Sequence, residues 1–396
     1  MVLKSPGLFI VVIGLLFPIL EKVWAQGGSA IIALVMPMRG EGVHLTGGGV
    51  AVPTGSHSMF FNPALLASVY ERNQGNLDVS THQEKLLPSL GLPNLYQTFQ
   101  AVSLSFPKVH PNWDLALGGY RNYVSFGYSD AYSPQNDSTY TLKGEESVRA
   151  LGLALRWMNL LSFGANVKFI QSNLGMAKLD PSTVVSGDLG LLIAKKYHFP
   201  SQITVCPSAG FSLLTHDFRV RYKLDPRFIS PNPDSIPRFN QSDPSARLVK
   251  YGLGLTGSFW QIFEYETALD WEFDPVGSST VRTGGVLVQF QPCFSFFVGR
   301  LYDQVGKRWE SNVSYSLGFD LKKAWIVYHR LFQGDFSSSP ESLLSTYPWK
   351  PFHALGTTIQ PNFRVQYTQT FIKDFLPNMN GGIRKNQAGF DLTFSL

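Results

Sequence analysis

Charge and cysteine are scarce in this chain, and helical periodicity is scarcer still. Asp, Glu, Lys and Arg make up 15% of the 396 residues, against about 25% in an ordinary soluble domain. The 33 Lys and Arg exceed the 28 Asp and Glu by a net +5. They are scattered, so the sequence has no basic cluster of the kind that tracks nucleic acid. The two cysteines, Cys206 and Cys293, fall on segments that read as non-adjacent strands. They are expected to be unpaired small hydrophobes rather than a disulfide. The eight His are dispersed without H-E-x-x-H spacing, and neither C-x-x-C nor G-x-S-x-G occurs. His216 with Asp217, and His329 with Ser314, are the pairs from which a dyad could be imagined, and their spacing supports neither. The sequence therefore reads as a non-enzyme with no catalytic residues, no metal ligands and no cofactor. After the first 25 residues no run of about 18 apolar residues occurs, which excludes a later transmembrane helix.

Residues 1–25 read as a secretory signal peptide. Lys4 supplies the positive start, Leu8 to Leu20 the apolar stretch, and Val23 and Ala25 the small residues before a cut between Ala25 and Gln26. The apolar stretch is short for a membrane span of about 20 residues.

What the chain does have is alternation, glycine and aromatic side chains. Aromatics are 14% of residues, and Gly accounts for 36. "SVRALGLALRW" sets Leu151, Leu153, Leu155 and Trp157 against Gly152, Ala154 and Arg156. "SFGANVKFIQ" does the same with Phe163, Ala165, Val167 and Phe169 opposite Gly164, Asn166 and Lys168. Such a period of two marks strands with one apolar face. The second face carries Gly, Ser, Asn and Arg, a wall with polarity but little bulk. Short connections at 158–160, 197–201, 291–292, 322–323 and Pro361 alternate with long polar ones at 129–145, 215–249 and 332–350. This is the pattern of an antiparallel outer-membrane β-barrel, closed because lipid offers no partner to a free strand edge. Sixteen candidate strands are legible, including 312–321, 324–331, 352–360 and 362–373, and 14–16 are expected. Aromatics near strand ends, such as Tyr128, Tyr132, Trp260, Trp271, Tyr302, Trp309 and Trp325, read as interfacial girdles. The final "GFDLTFSL" places Phe390, Leu392, Phe394 and Leu396 on one face, as expected of a strand read by the barrel-insertion machinery.

Before the strands comes "LTGGGVAVPTGSHSMFFNPALLASV". Gly47, Gly48 and Gly49 let the backbone pass close to a neighbour. Asn62 can cap a short helix, Pro63 suits its first position, Ala64 follows, and Phe60 and Phe61 can wedge against a wall. A barrel of 14–16 strands has a lumen too wide for its own side chains to fill. The expected organisation is thus a signal peptide (1–25), an N-terminal plug or hatch (26–75) and a β-barrel (76–396).

The run "GGGVAVPTGSHSMFFNPALLAS" resembles the N-terminal signature of the PorV/PorQ proteins, relatives of the FadL transporters. "SGDLGLLIAKKY", "AGFSLLTHD", "YGLGLTGSF" and "GGVLVQFQPCFSFFVGRLYD" follow in the family's order, and the likeness covers roughly residues 42–360. Gly55 and Ser56 replace the signature's acidic pair, and Leu65 replaces a Gly. The resemblance implies an outer-membrane protein that touches lipid and either supports protein secretion, with a secretion apparatus or exported cargo as partner, or passes hydrophobic small molecules such as long-chain fatty acids. Both alternatives stand on sequence.

Overall fold

The computed structural model describes Ala33 and residues 49–52, 55–68, 75–85, 94–133, 135–180, 182–199, 202–214, 219–228, 243–244, 248–260, 262–274, 279–290, 294–303, 308–338, 340–348, 352–354, 357–373 and 383–395. The signal peptide, Gly47, Gly48, His216, Asp217, Cys293 and Leu396 lie outside them.

Of the 18 strands in the main sheet, four are three-residue pieces. The others form the barrel wall. They are β1 (Asn76–Lys85), β2 (Leu95–His110), β3 (Trp113–Ser133), β4 (Ser138–Trp157), β5 (Leu161–Asn173), β6 (Val184–Ala194) and β7 (Ile203–Leu214). The series continues with β8 (Leu248–Phe259), β9 (Phe263–Asp274), β10 (Ser279–Phe290), β11 (Phe294–Asp303), β12 (Arg308–Asp320), β13 (Thr357–Lys373) and β14 (Ile383–Ser395). Each pairs antiparallel with the next. β1 pairs with β2 on one side and with β14 on the other, from Asn76 opposite Ser395 to Glu84 opposite Gln387. The described strands thus form a ring of fourteen.

The alternation sorts the two faces. Leu151, Leu153, Leu155, Phe163, Val167, Leu189, Leu253, Leu269 and Val298 are exposed on the outside, where they meet lipid. Their neighbours Ala150, Ala154, Ser162, Asn166, Lys168, Asp188 and Asp270 are buried inside. β3 and β4 are 21 and 20 residues long, about twice what crosses a bilayer, so this hairpin rises well past the membrane. It takes up most of the 129–145 stretch read as a loop. Cys206, on β7, carries a free thiol.

Two expectations fail. Residues 324–331 are not a strand. Helix α1 (Leu321–Phe332) occupies them, followed by α2 (Pro340–Ser345). "AWIVYHRL" fits both periods, and a short apolar run does not separate strand from helix. Asp320 decides it: its side chain accepts from Lys323 N at 2.9 Å and caps the helix. Nor do 352–360 and 362–373 form two strands about a turn at Pro361, because β13 runs straight through. Pro361 pairs with Phe394 of β14 but lies beyond the last β12–β13 pair, Asp320 opposite Arg364, an edge-like position of the kind proline tolerates in a sheet. Among the described residues fourteen wall strands result, and the described part of 332–350 sits at the short-turn end of the barrel rather than among the long loops. Trp325 therefore belongs to α1 and not to a strand-end girdle.

The β14–β1 pairing makes the last strand a closing element. Deleting Gly389–Leu396 removes the seam from Asn76 to His82 and leaves open edges in lipid. The expected outcome is loss of the heat-modifiable folded band on gels of membrane fractions. A retained band would contradict a closing role.

Candidate functional site

The described N-terminal segment lies inside the ring. Two 3-10 turns shape it, Ser56–Phe60 and Pro63–Ala67. Gly55 starts the first in the left-handed region (φ 102°). Asn62 starts the second, with its Oδ1 accepting from Ala64 N at 3.0 Å and Pro63 in first position. Residues 56–67 are all buried, Asn62, Ala64 and Leu65 completely.

Glycine on the inner wall makes this fit possible. Gly118 of β3, Gly152 of β4, Gly164 of β5, Gly190 of β6, Gly210 of β7 and Gly254 of β8 all face the segment. A Cβ on Gly118 would come within 2.9 Å of Leu66 Cδ1, and one on Gly152 within 2.8 Å of Met59 Sδ. At Gly164 it would strike the Pro63–Ala64 backbone, at Gly190 the Asn62 side chain and at Gly210 the Val50 carbonyl. Adjacent strands supply these positions in register, Gly118 opposite Gly152 and Gly164 opposite Gly190. They form a trough in which backbone meets backbone.

Carboxylates then fix the segment's height. Asp78 of β1 accepts from Ser56 N at 3.0 Å. Asp270 of β9 accepts from Gly49 N and from Val50 N, the latter at 2.9 Å. Glu146 of β4 accepts from Ala33 N at 2.9 Å, and Asn122 of β3 donates to the Ala33 carbonyl. Asn62 Nδ2 donates to Val50 O within the segment and to Leu191 O of the wall. Gly252, directly opposite Asp270 on β8, leaves room for that carboxylate, which a Cβ there would overlap. A hydrogen bond to a charged acceptor contributes about 1.5–3 kcal/mol. An ion pair between Lys168 and Asp188 at 2.8 Å, also bonded by Asn166, lies fully buried on β5 and β6.

An apolar cluster surrounds the first turn. Phe60 meets Phe61, Phe99 and Tyr120 edge-on, with ring centroids 5.5, 6.0 and 5.6 Å apart. Val124, Val148 and Ile170 belong to the same cluster and are completely buried. These are lumen-facing positions.

Gly49, Phe60, Phe61, Asn62, Pro63 and Ala64 thus lie together against the wall. Phe390 and Leu392 lie on β14, both half-buried, in the strand that also carries Phe394. His329 is on α1 and Ser314 is mid-strand on β12. Sequence reasoning saw a wall without bulk but missed that its glycines form one seat, and it missed Asp78, Glu146 and Asp270. The available signal was a lone acid among small residues on a lumen face, as in "TALDW".

No protein-family profile matches the chain, and no curated protein matches it. Among solved structures it is similar to the toluene transporter TbuX of Ralstonia pickettii, with 11% identity over 91% of this chain and 99% of that one and a TM-score of 0.45. It is similar to the toluene transporter TodX of Pseudomonas putida, with 10% identity over 95% and 99% and a TM-score of 0.41. A third similar structure is the outer membrane protein OpdK of Pseudomonas aeruginosa, with 9% identity over 82% and 98% and a TM-score of 0.29. The fold rests on the strand pairings themselves.

Gly164→Leu should expel the second turn, since the new side chain would occupy the Pro63–Ala64 backbone. Asp270→Ala should loosen the segment's start, leaving two buried amides unpaired at about 1–3 kcal/mol each. The ring should still close in both. Single-channel recordings in planar bilayers should show raised conductance, more for Gly164→Leu. Folded, inserted variants conducting like the parent would show that this seat does not block the lumen.

Proposed function

We propose that this chain admits small hydrophobic molecules across the outer membrane through a lumen closed by its N-terminal hatch. The observation that carries the reading is the apolar cluster of Phe60, Phe61, Phe99, Tyr120, Val124, Val148 and Ile170 on lumen-facing positions. A water-filled pore is lined with polar groups. A lumen whose plug docks through aromatic and β-branched side chains offers a non-polar solute an environment it can share. Burial of Phe60 and Phe61 holds the hatch by roughly 1.5–3 kcal/mol each, and the amide–carboxylate bonds add to that. A passing apolar molecule can replace the ring contacts, whereas water cannot.

The secretion role, implied by the resemblance to PorV/PorQ, rests on sequence motifs alone, and no feature of the described lumen favours it. On either reading, residues 1–25 direct export and are removed before the barrel-insertion machinery receives the chain. N-terminal sequencing of outer-membrane material should begin at Gln26.

The deciding experiment is uptake in a bacterial host that lacks its own long-chain fatty-acid transporter. Expression should raise accumulation of labelled oleate or toluene several-fold over a vector control, with no added permeability to maltotriose. Phe60→Ser/Phe61→Ser should admit maltotriose as well. Unchanged uptake of both hydrophobic probes by correctly inserted protein would overturn the proposal. Retention of exported proteins in the periplasm of a native deletion strain would put secretion in its place.

A further inference from the structure

The two helices between β12 and β13 are not a simple connection. α1 starts where β12 ends, yet its far end is tied to strands several places around the ring. Arg330, completely buried, donates from Nη2 to Gln202 Oε1 in the β6–β7 turn at 2.5 Å and to Ser338 O at 2.6 Å. Its Nη1 donates to Asp335 O at 2.6 Å. Gln202 Nε2 in turn donates to Phe336 O at 2.9 Å. Phe336 lies against Trp260 of the β8–β9 turn, with centroids 5.8 Å apart. Nearer the start, Lys323 Nζ pairs with Glu264 of β9 at 2.8 Å. Twelve helical residues span about 18 Å, so a helix held at these points crosses the short-turn mouth of the barrel as a bar. Bonds from Ser338 and Ser337 hold the Asp335 carboxyl down to about 2, so this corner keeps its charge at any physiological pH.

The bar has two faces. Ile326, Val327 and Arg330 are buried. On the other side Trp325, Tyr328 and Phe332 form a stacked aromatic row, with centroids 5.9 and 5.8 Å apart. Tyr328 and Phe332 are exposed, Phe332 by 80%. The row borders a cleft of about 320 Å³ lined by Leu321, Ala324, Trp325, Tyr328, Tyr347 and Pro348, within the size range of small-molecule sites. Its wall is fixed, since Trp325 Nε1 donates to Leu343 O of α2 at 3.0 Å and Trp325 meets Tyr347 edge-on. Tyr347 is 93% buried (7% exposed), and its hydroxyl has no hydrogen-bond partner among the described residues. Burial and the nearby Asp320 push its pKa up, so the hydroxyl stays a donor. A buried donor without an acceptor is unfavourable, and a ligand oxygen that reaches it would relieve that.

We infer that this cleft is a binding site for a small, flat apolar molecule bearing one oxygen acceptor, such as an aromatic alcohol. It stands at the mouth through which a solute leaves the lumen. The exit role rests on the transport reading above, whereas the binding itself does not.

The test uses full-length protein in detergent, with 4-fluorobenzyl alcohol and 4-fluorotoluene as probes followed by fluorine NMR titration. The parent should bind both, the alcohol more tightly. Tyr347→Phe deletes only an unpartnered hydroxyl and should fold normally. It should weaken the alcohol roughly 2- to 10-fold and leave 4-fluorotoluene unchanged. Ala324→Trp, which fills the cleft, should abolish binding of both while the folded gel band persists. Two results overturn the site: alcohol binding that is equal in the parent and in both variants, or no saturable binding by the parent. Because no transport is measured, failure of the uptake experiment leaves this outcome untouched.

Discussion

The arrangement inside the barrel depends on how closely one backbone can approach another, and glycine sets that distance. An antiparallel wall normally projects a side chain inward at every second residue. Here six neighbouring strands, β3 to β8, each leave one or more inward positions bare, at Gly118, Gly152, Gly164, Gly190, Gly210 and Gly254. Pairing registers place these gaps side by side, so they add up to a trough. The Pro63–Ala64 backbone, the Asn62 side chain and the Val50 carbonyl occupy space that any Cβ would claim. A single alanine at Gly164 would displace main chain rather than a flexible tip, and one at Gly190 would strike the Asn62 carboxamide that caps the second turn.

Close approach creates a second requirement. A segment buried in a lumen brings backbone amides that need partners, and the 3-10 turns satisfy only some of them. Asp78, Glu146 and Asp270 supply the acceptors from β1, β4 and β9, widely separated around the ring. Using charge on the wall and neutral amides on the segment makes each contact strong without burying an opposite charge in the segment itself. The apolar cluster about Phe60 contributes non-directional attraction that, in the proposed transport role, an apolar solute can substitute. In that role the carboxylates hold the segment's position and the aromatics make its release selective.

Much of this was legible in the sequence, because lipid and lumen impose opposite demands on successive residues. "SVRALGLALRW" and "SFGANVKFIQ" declare strands and both their faces at once, and β5 spans Leu161–Asn173 just as its alternation indicates. The Asn62–Pro63 cap was readable because it is local. The seat was not, since six glycines from six strands become one feature only through registers that pair residues far apart in the chain. Asp270 stood out only as a lone acid, since its amide partners lie more than 200 residues away, and the partner of Glu146 lies more than 100 away. α1 was misread because Trp325, Val327, His329 and Leu331 alternate while Ile326, Val327 and Arg330 share a helical face. What separates the two is a cap at Asp320 and a clamp from Arg330 to Gln202, more than 100 residues away in sequence.

The segment around Ser56–Ala67 is seated against the inner wall in the resting protein. Ser56 and Ser80 of β1 report on that seat, for their hydroxyl oxygens lie 2.8 Å apart. In a background with Cys206 and Cys293 replaced by Ser, the double variant Ser56→Cys/Ser80→Cys should form a disulfide in intact outer membranes. Mass spectrometry of the protease digest should find the peptides joined under mild oxidation and separate after reduction. If both cysteines stay free and react independently with a small thiol reagent in folded protein, the segment is not seated where this account requires.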